Sequence, residues 1–135
     1  MKYNVEKQEQ YAILTLSEEN LNTLKAPDLK SEFVLLKQAG TPNLILNLEQ
    51  VKYVDSSGLS AILTGNRMWT EEGKQFILAG VNHPSVKMLI TISRLDSVLN
   101  IKETNQAAVK EIMMAVFREE LSGSNEDTSA DEDDE

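Results

Sequence analysis

The chain contains no cysteine, one histidine and one tryptophan among its 135 residues. Without cysteine there can be no disulfide framework, no thiolate metal site and no cysteine nucleophile. A single histidine, His83, leaves no histidine pair for a metal and only one imidazole that could serve as a general base. It lies just before Pro84 in what reads as a loop, where a surface or capping role is expected. Proline is scarce as well, and each of the three marks a boundary: Pro27 and Pro84 at helix starts, Pro42 in a turn. No run approaches roughly 18 apolar residues, so no membrane span is expected. The first residues, Met1 to Lys7, carry charge where a secretion signal would need an apolar stretch, and a cytoplasmic protein is expected. A cluster of Lys and Arg is also missing, which argues against nucleic acid as a partner.

What charge there is has the opposite sign and is unevenly spread. The formal net charge is −9, yet seven of the 22 acids fall within Ser122–Glu135, where there is no base. The remaining chain holds 15 acids against 13 bases. Acidity is therefore a property of the C-terminal segment, not of the body. With no apolar residue larger than alanine, residues 122–135 cannot bury enough surface to offset the entropy of ordering, and a disordered acidic tail is expected there. The preceding 121 residues form one domain, and the 41% of residues that are hydrophobic suffice for one core.

Along that domain the patterning alternates between short apolar runs and helical periodicity. Two strand-like stretches flank Gln8–Gln10, the second being Tyr11–Leu16. A helix is expected from Pro27 to the stop at Gly40, with Leu29, Phe33, Leu36 and Leu35 on its apolar side. Leu44–Leu48 reads as a short apolar strand buried on both faces and Val51–Asp55 as a connection. From Ser56 a second helix follows, with Leu59, Ile62, Leu63 and Met68 near one face and Trp69 packing in the core. Gln75–Gly80 is another buried strand, Pro84 opens a helix through Leu89 and Ile92, and Val98–Ile101 is a last strand. Gln106–Leu121 completes the pattern as an amphipathic helix on which Met113 and Met114 are expected to pack. The order β-β-α-β-α-β-α-β-α implies an α/β fold: a mixed sheet of about five strands with about four helices, few enough to cover a single face.

The most informative segment is Tyr53-Val54-Asp55-Ser56-Ser57-Gly58-Leu59, placed between the buried strand and the second helix. Asp and Ser at a helix start accept hydrogen bonds from free backbone N–H groups, and Gly58 leaves room for another surface to come close. By themselves these residues describe a cap and a turn.

In context the chain resembles the STAS domain family of anti-sigma factor antagonists. The resemblance runs over roughly residues 3–121. It is carried by Leu44-Ile45-Leu46-Asn47-Leu48, Val51, the Asp55-Ser56-Ser57-Gly58-Leu59 motif, Gly73-Lys74 and Pro84-Ser85-Val86-Lys87-Met88-Leu89. It implies a STAS-like fold and a partner switch. The unphosphorylated antagonist binds an anti-sigma factor that is also a serine kinase, and so releases a sigma factor. The kinase phosphorylates the serine after the motif's aspartate, here Ser56, and a PP2C-type phosphatase resets the switch. Asp55, Ser57, Gly58, Leu59 and Asn22 are then the partner-contact residues. The sequence departs from the family's pattern at Glu19-Asn20-Leu21-Asn22, where a Gly-x-Leu-Asp-like run is common. It departs again at Ser60 and Arg94, where glycine is common.

A phosphate adds about −1.5 to −2 charges. At a helix N-terminus that charge is tolerated within the domain, so its effect is expected in the complex, where a dianion meets a surface shaped for a hydroxyl. The other reading is a constitutive STAS scaffold subunit of a larger complex, of lipid-transport or stress-signalling type, in which Ser56 is never modified. No cofactor and no metal are expected. The chain carries no P-loop, Gly-x-Ser-x-Gly, Gly-x-Gly-x-x-Gly or His-Glu-x-x-His signature, and no enzymatic activity is expected. A monomer is the default oligomeric state.

Overall fold

The computed structural model describes residues 1–133, with side-chain surroundings for residues 1–122. Seven strands and four α-helices follow in order: β1 (Tyr3–Lys7), β2 (Ala12–Leu16), β3 (Asn20–Leu21), α1 (Ala26–Gln38), β4 (Leu44–Asn47), β5 (Tyr53–Val54), α2 (Ser56–Thr70), β6 (Phe76–Ala79), α3 (Pro84–Ile92), β7 (Asn100–Lys102) and α4 (Asn105–Asp133). A single 3₁₀ turn, Leu95–Ser97, links α3 to β7.

Five strands form one mixed sheet in the order β1-β2-β4-β6-β7. β1 and β2 are an antiparallel hairpin, and every other pairing in this sheet is parallel. This is the mixed α/β architecture expected, with five strands and four helices. The two further strands, β3 and β5, pair only with each other, in parallel, through Asn20 opposite Tyr53 and Leu21 opposite Val54. Both lie outside the segments that read as strands, β5 within the connection Val51–Asp55. Two residues are too few to show an alternating pattern.

Successive residues of a strand point to opposite faces, and here the two faces have different partners. Leu14, Leu16, Leu44, Leu46, Phe76 and Leu78 belong to the larger cluster, filled from α1, α2 and α3 by Leu29, Phe33, Leu36, Ile62, Trp69, Val86 and Ile90. Ile13, Ile45, Ile77 and Ala79 point the other way and are covered by Ala108 and Ile112 of α4. The sheet is thus covered on both faces, not one. This is why β4 and β6 are apolar at nearly every position.

The α2 register also differs from expectation. Gly58, Ala61, Ile62, Gly65 and Trp69 are the buried residues, while Leu59, Leu63 and Met68 lie at the margin. At Gly65 a small residue faces inward because Phe33 and Phe76 already occupy the space there. Trp69 is fully buried, as expected. It meets Phe33 edge-on at 5.9 Å and Phe76 at 6.1 Å, and its indole N–H donates to the Thr41 carbonyl at 3.2 Å. On α1 and α3, Leu35 and Ile92 are exposed and Leu89 is half-buried.

Among the described side chains of α4 only Ala108 and Ile112 are buried, with Val109 and Val116 packed beside them. Met113, Met114, Phe117 and Leu121 are exposed, contrary to the packing expected of the methionines, because the sheet accepts one narrow stripe of the helix. The expected domain boundary at residue 121 falls inside this helix. The disorder expected of residues 122–135 concerns a segment whose side chains, from residue 123 on, lie outside the described residues.

Candidate functional site

The site is built where the β3–β5 ladder brings the loop before α1 beside the loop before α2. Backbone bonds fix this contact: the Lys52 and Tyr53 N–H groups donate to the Glu19 carbonyl, and the Asp55 N–H donates to the Leu21 carbonyl at 3.2 Å. Asp55 is extended, with φ −95° and ψ −176°, and caps α2. One carboxylate oxygen, Oδ1, accepts the Gly58 N–H at 2.9 Å. The other, Oδ2, accepts the Thr23 N–H at 3.2 Å and lies 3.3 Å from the Thr23 hydroxyl. The Gly58 N–H holds the Asp55 carboxyl below its ordinary range, with Thr23 and the Ser57 N–H adding in the same direction against the opposing effect of desolvation.

Of the two motif serines, only one is free. The Ser57 hydroxyl is half-buried and shares a hydrogen bond with Thr23 Oγ1 at 3.2 Å. Ser56 is exposed, and its hydroxyl makes no hydrogen bond among the described residues. Gly58 is buried against the chain's own backbone. A Cβ there would stand 2.3 Å from the Leu21 carbonyl oxygen and 2.9 Å from Leu21 Cγ. The surface that approaches Gly58 is therefore the β3 loop of the same molecule. Leu59 is half-buried. Asn22 Oδ1 accepts the Leu24 N–H at 3.1 Å, and its carbonyl accepts from Lys25 and Ala26, shaping the entry to α1.

Five of the six residues read from the motif and its preceding loop thus gather at the α2 N-terminus, and Asn22 borders them across the ladder. Two residues that sequence reading passed over also belong here. Thr23 ties the two loops together, and Lys30 of α1 lines an open hollow of about 300 Å³ with Thr23, Ser56, Ser57 and Ser60. Neither carried a local signal, since each lies more than twenty residues from the motif.

His83 lies outside this cluster of bonds. Its Nδ1 accepts the Ser85 N–H at 3.3 Å and so caps α3, and its ring sits 5.4 Å from that of Tyr53. It makes no hydrogen bond to Ser56. Among the described residues no group of three or more His, Asp and Glu side chains could hold a metal ion, and no helix is long and apolar enough to cross a membrane.

The family model for the STAS domain matches residues 2–108. The chain belongs to the STAS domain family. Among curated relatives it is 26% identical over 83 residues to the anti-sigma-B factor antagonist of Staphylococcus aureus, 62% of this chain and 76% of that one. Among solved structures it is similar to an anti-sigma factor antagonist from Mycobacterium paratuberculosis. That match has a TM-score of 0.74 and 19% identity, and covers 83% of this chain and 93% of that one. It is also similar to the phosphorylated form of SpoIIAA, a Bacillus cell-fate determinant, with a TM-score of 0.64 and 18% identity over 82% of this chain and 99% of that one. At these identities the solved structures speak for the STAS fold alone.

Proposed function

We propose that this STAS domain is an anti-sigma factor antagonist that binds an anti-sigma factor serine kinase while Ser56 is unphosphorylated and is released when Ser56 is phosphorylated. The observation that carries the reading is the division of labour within Asp55-Ser56-Ser57. Asp55 and Ser57 are engaged in holding the two loops together, and Ser56 alone presents an exposed, uncommitted hydroxyl. The resemblance to the Staphylococcus aureus antagonist supports the same role.

In the forward step the Ser56 Oγ attacks the γ-phosphorus of a nucleoside triphosphate held by the kinase. The new O–P bond forms as the bond to the bridging oxygen breaks, nucleoside diphosphate leaves, and the serine proton passes to a base on the kinase. In the reverse step a PP2C-type phosphatase delivers water to phosphorus, freeing inorganic phosphate and restoring the hydroxyl. The domain itself contributes no catalytic group to either step. Asp55, Ser57, Gly58, Leu59 and Asn22 shape the surface the partner meets, and the cytoplasm, where such a kinase and its sigma factor operate, is the compartment this role requires.

Three baits test the proposal: the wild type, Ser56→Ala and Ser56→Asp, used to capture proteins from lysate, with Ser56 assayed for phosphate by mass spectrometry. Capture of one small serine kinase by wild type and Ser56→Ala but not by Ser56→Asp, with phosphate on wild-type Ser56, is the expected result. Capture of the same non-kinase assembly by all three, with Ser56 never modified, would overturn it in favour of a constitutive scaffold subunit.

A further inference from the structure

A phosphate on Ser56 would enter a place whose positive ends are already in use. The free N–H groups at the start of α2 ordinarily attract an anion, yet the Gly58 N–H is bonded to the Asp55 carboxylate at 2.9 Å and that carboxylate also takes the Thr23 N–H at 3.2 Å. One donor of the helix end is therefore already taken by Asp55, whose own charge stands beside the new dianion. Some other cation has to offset it.

Lys30 is placed to do so. It stands one helical turn after Ala26 and Pro27 on α1, and with them it lines the hollow that contains Ser56, Ser57 and Ser60. It is the one charged side chain in that lining. The two other lysines nearest in sequence to the loops of the site are committed elsewhere: Lys25 to Glu18 at 3.0 Å and Lys52 to Glu19 at 3.2 Å. Among the described residues Lys30 forms no ion pair, and it is exposed, with a flexible stem long enough to turn into the hollow.

We infer that Lys30 is the intramolecular counter-ion of phosphorylated Ser56. This rests on the reading of Ser56 as the modified residue and adds a second effect of modification. In the unphosphorylated domain the Lys30 ammonium is available at the partner surface. In the phosphorylated domain it folds onto the phosphate and is withdrawn. Modification thus replaces a neutral hydroxyl by an anion and takes the free ammonium from the partner at the same face, so that two contacts are lost together without any change of backbone.

The test uses the full chain with phosphoserine installed genetically at position 56, so that it does not depend on finding a kinase. The second ionisation of the phosphate is followed by phosphorus NMR in the Lys30, Lys30→Gln and Lys30→Arg forms. A free phosphoserine has its second pKa near ~6. Lys30→Gln should raise the value by about 0.3 unit or more, the scale of an exposed ion pair, Lys30→Arg should restore it, and the difference should shrink in 1 M salt. Identical titrations in all three forms would overturn the inference and leave the partner switch standing. A Lys30-dependent titration together with an unmodified Ser56 in the cell would leave the ion pair standing and remove the switch.

Discussion

At the scale of single residues, the site depends on one carboxylate holding three donors. Asp55→Ala removes the α2 cap and the tie to Thr23 together, and should lower the melting temperature by about 3 °C or more. Its pH dependence has a definite sign. The folded-state pKa of Asp55 lies below its ordinary value of 3.8, so its contribution is complete above that value and is lost as pH falls through the lower folded value. The gap in melting temperature between wild type and Asp55→Ala should therefore be constant near neutrality and begin to narrow only below the ordinary value of 3.8; a gap that already narrows between neutrality and that value would show that the cap does not act through the ionised carboxylate. Arg94 is a residue of the opposite kind. It holds a left-handed conformation, φ 59°, that costs an L-residue about 1–2 kcal/mol, at a position where the family pattern favours glycine. Arg94→Gly should stabilise the domain by about 0.5 kcal/mol, after allowing for the greater freedom of glycine in the unfolded chain, as measured by urea denaturation. A loss of stability would mean that the Arg94 side chain makes up for its backbone.

At the scale of elements, the β3–α2 junction decides whether the site exists at all. A methyl group on Gly58 would collide with the Leu21 carbonyl, which belongs to backbone and cannot rotate away. Gly58→Ala should therefore cost about 2 kcal/mol or more and disturb the amide signals of residues 20–23 as well as those of the α2 start. At Gly65 a methyl group would meet the rings of Phe33 and Phe76, which can turn, so Gly65→Ala should disturb the core and leave the loop signals in place. This junction also marks the limit of what the sequence tells. The strands Leu44–Asn47 and Phe76–Ala79, the α2 start at Ser56 and the cap at Asp55 were legible because each depends on neighbours in the chain. Thr23 and Lys30 were not legible, because the two-residue ladder that brings them to Ser56 has no period of its own. The apolar run Leu44–Leu48 reads as a strand buried on both faces, as it is; what the run does not carry is which element covers Ile45 and Ile77, and that is α4. Glycine at position 58 was noticed, but its cause, a close approach by the chain's own loop, comes from a contact between residues far apart in sequence.

At the scale of the whole molecule, charge and apolar surface are set against each other at the C-terminal end. The helix α4 leaves Met113, Met114, Phe117 and Leu121 exposed, and the seven acids of residues 122–135 follow directly. A domain near neutrality with such a face is prone to self-association, whereas a net charge of −9 opposes it. The packing of α4 on the sheet is made by Ala108 and Ile112 with Val109 and Val116, all well before residue 122. Ending the chain at Leu121 should therefore leave the folded domain intact, with an unchanged near-ultraviolet spectrum from the buried Trp69. It should, however, make sedimentation depend on concentration at low salt. The full chain should show the same dependence only when salt is raised to about 1 M, where the screening length falls to about 3 Å. Met113→Lys together with Phe117→Glu in the shortened chain should abolish the association, which would locate it on α4. Association of the shortened chain that persists in this double variant would place the contact elsewhere, and the acidic segment would then act on some surface other than the exposed stripe of α4.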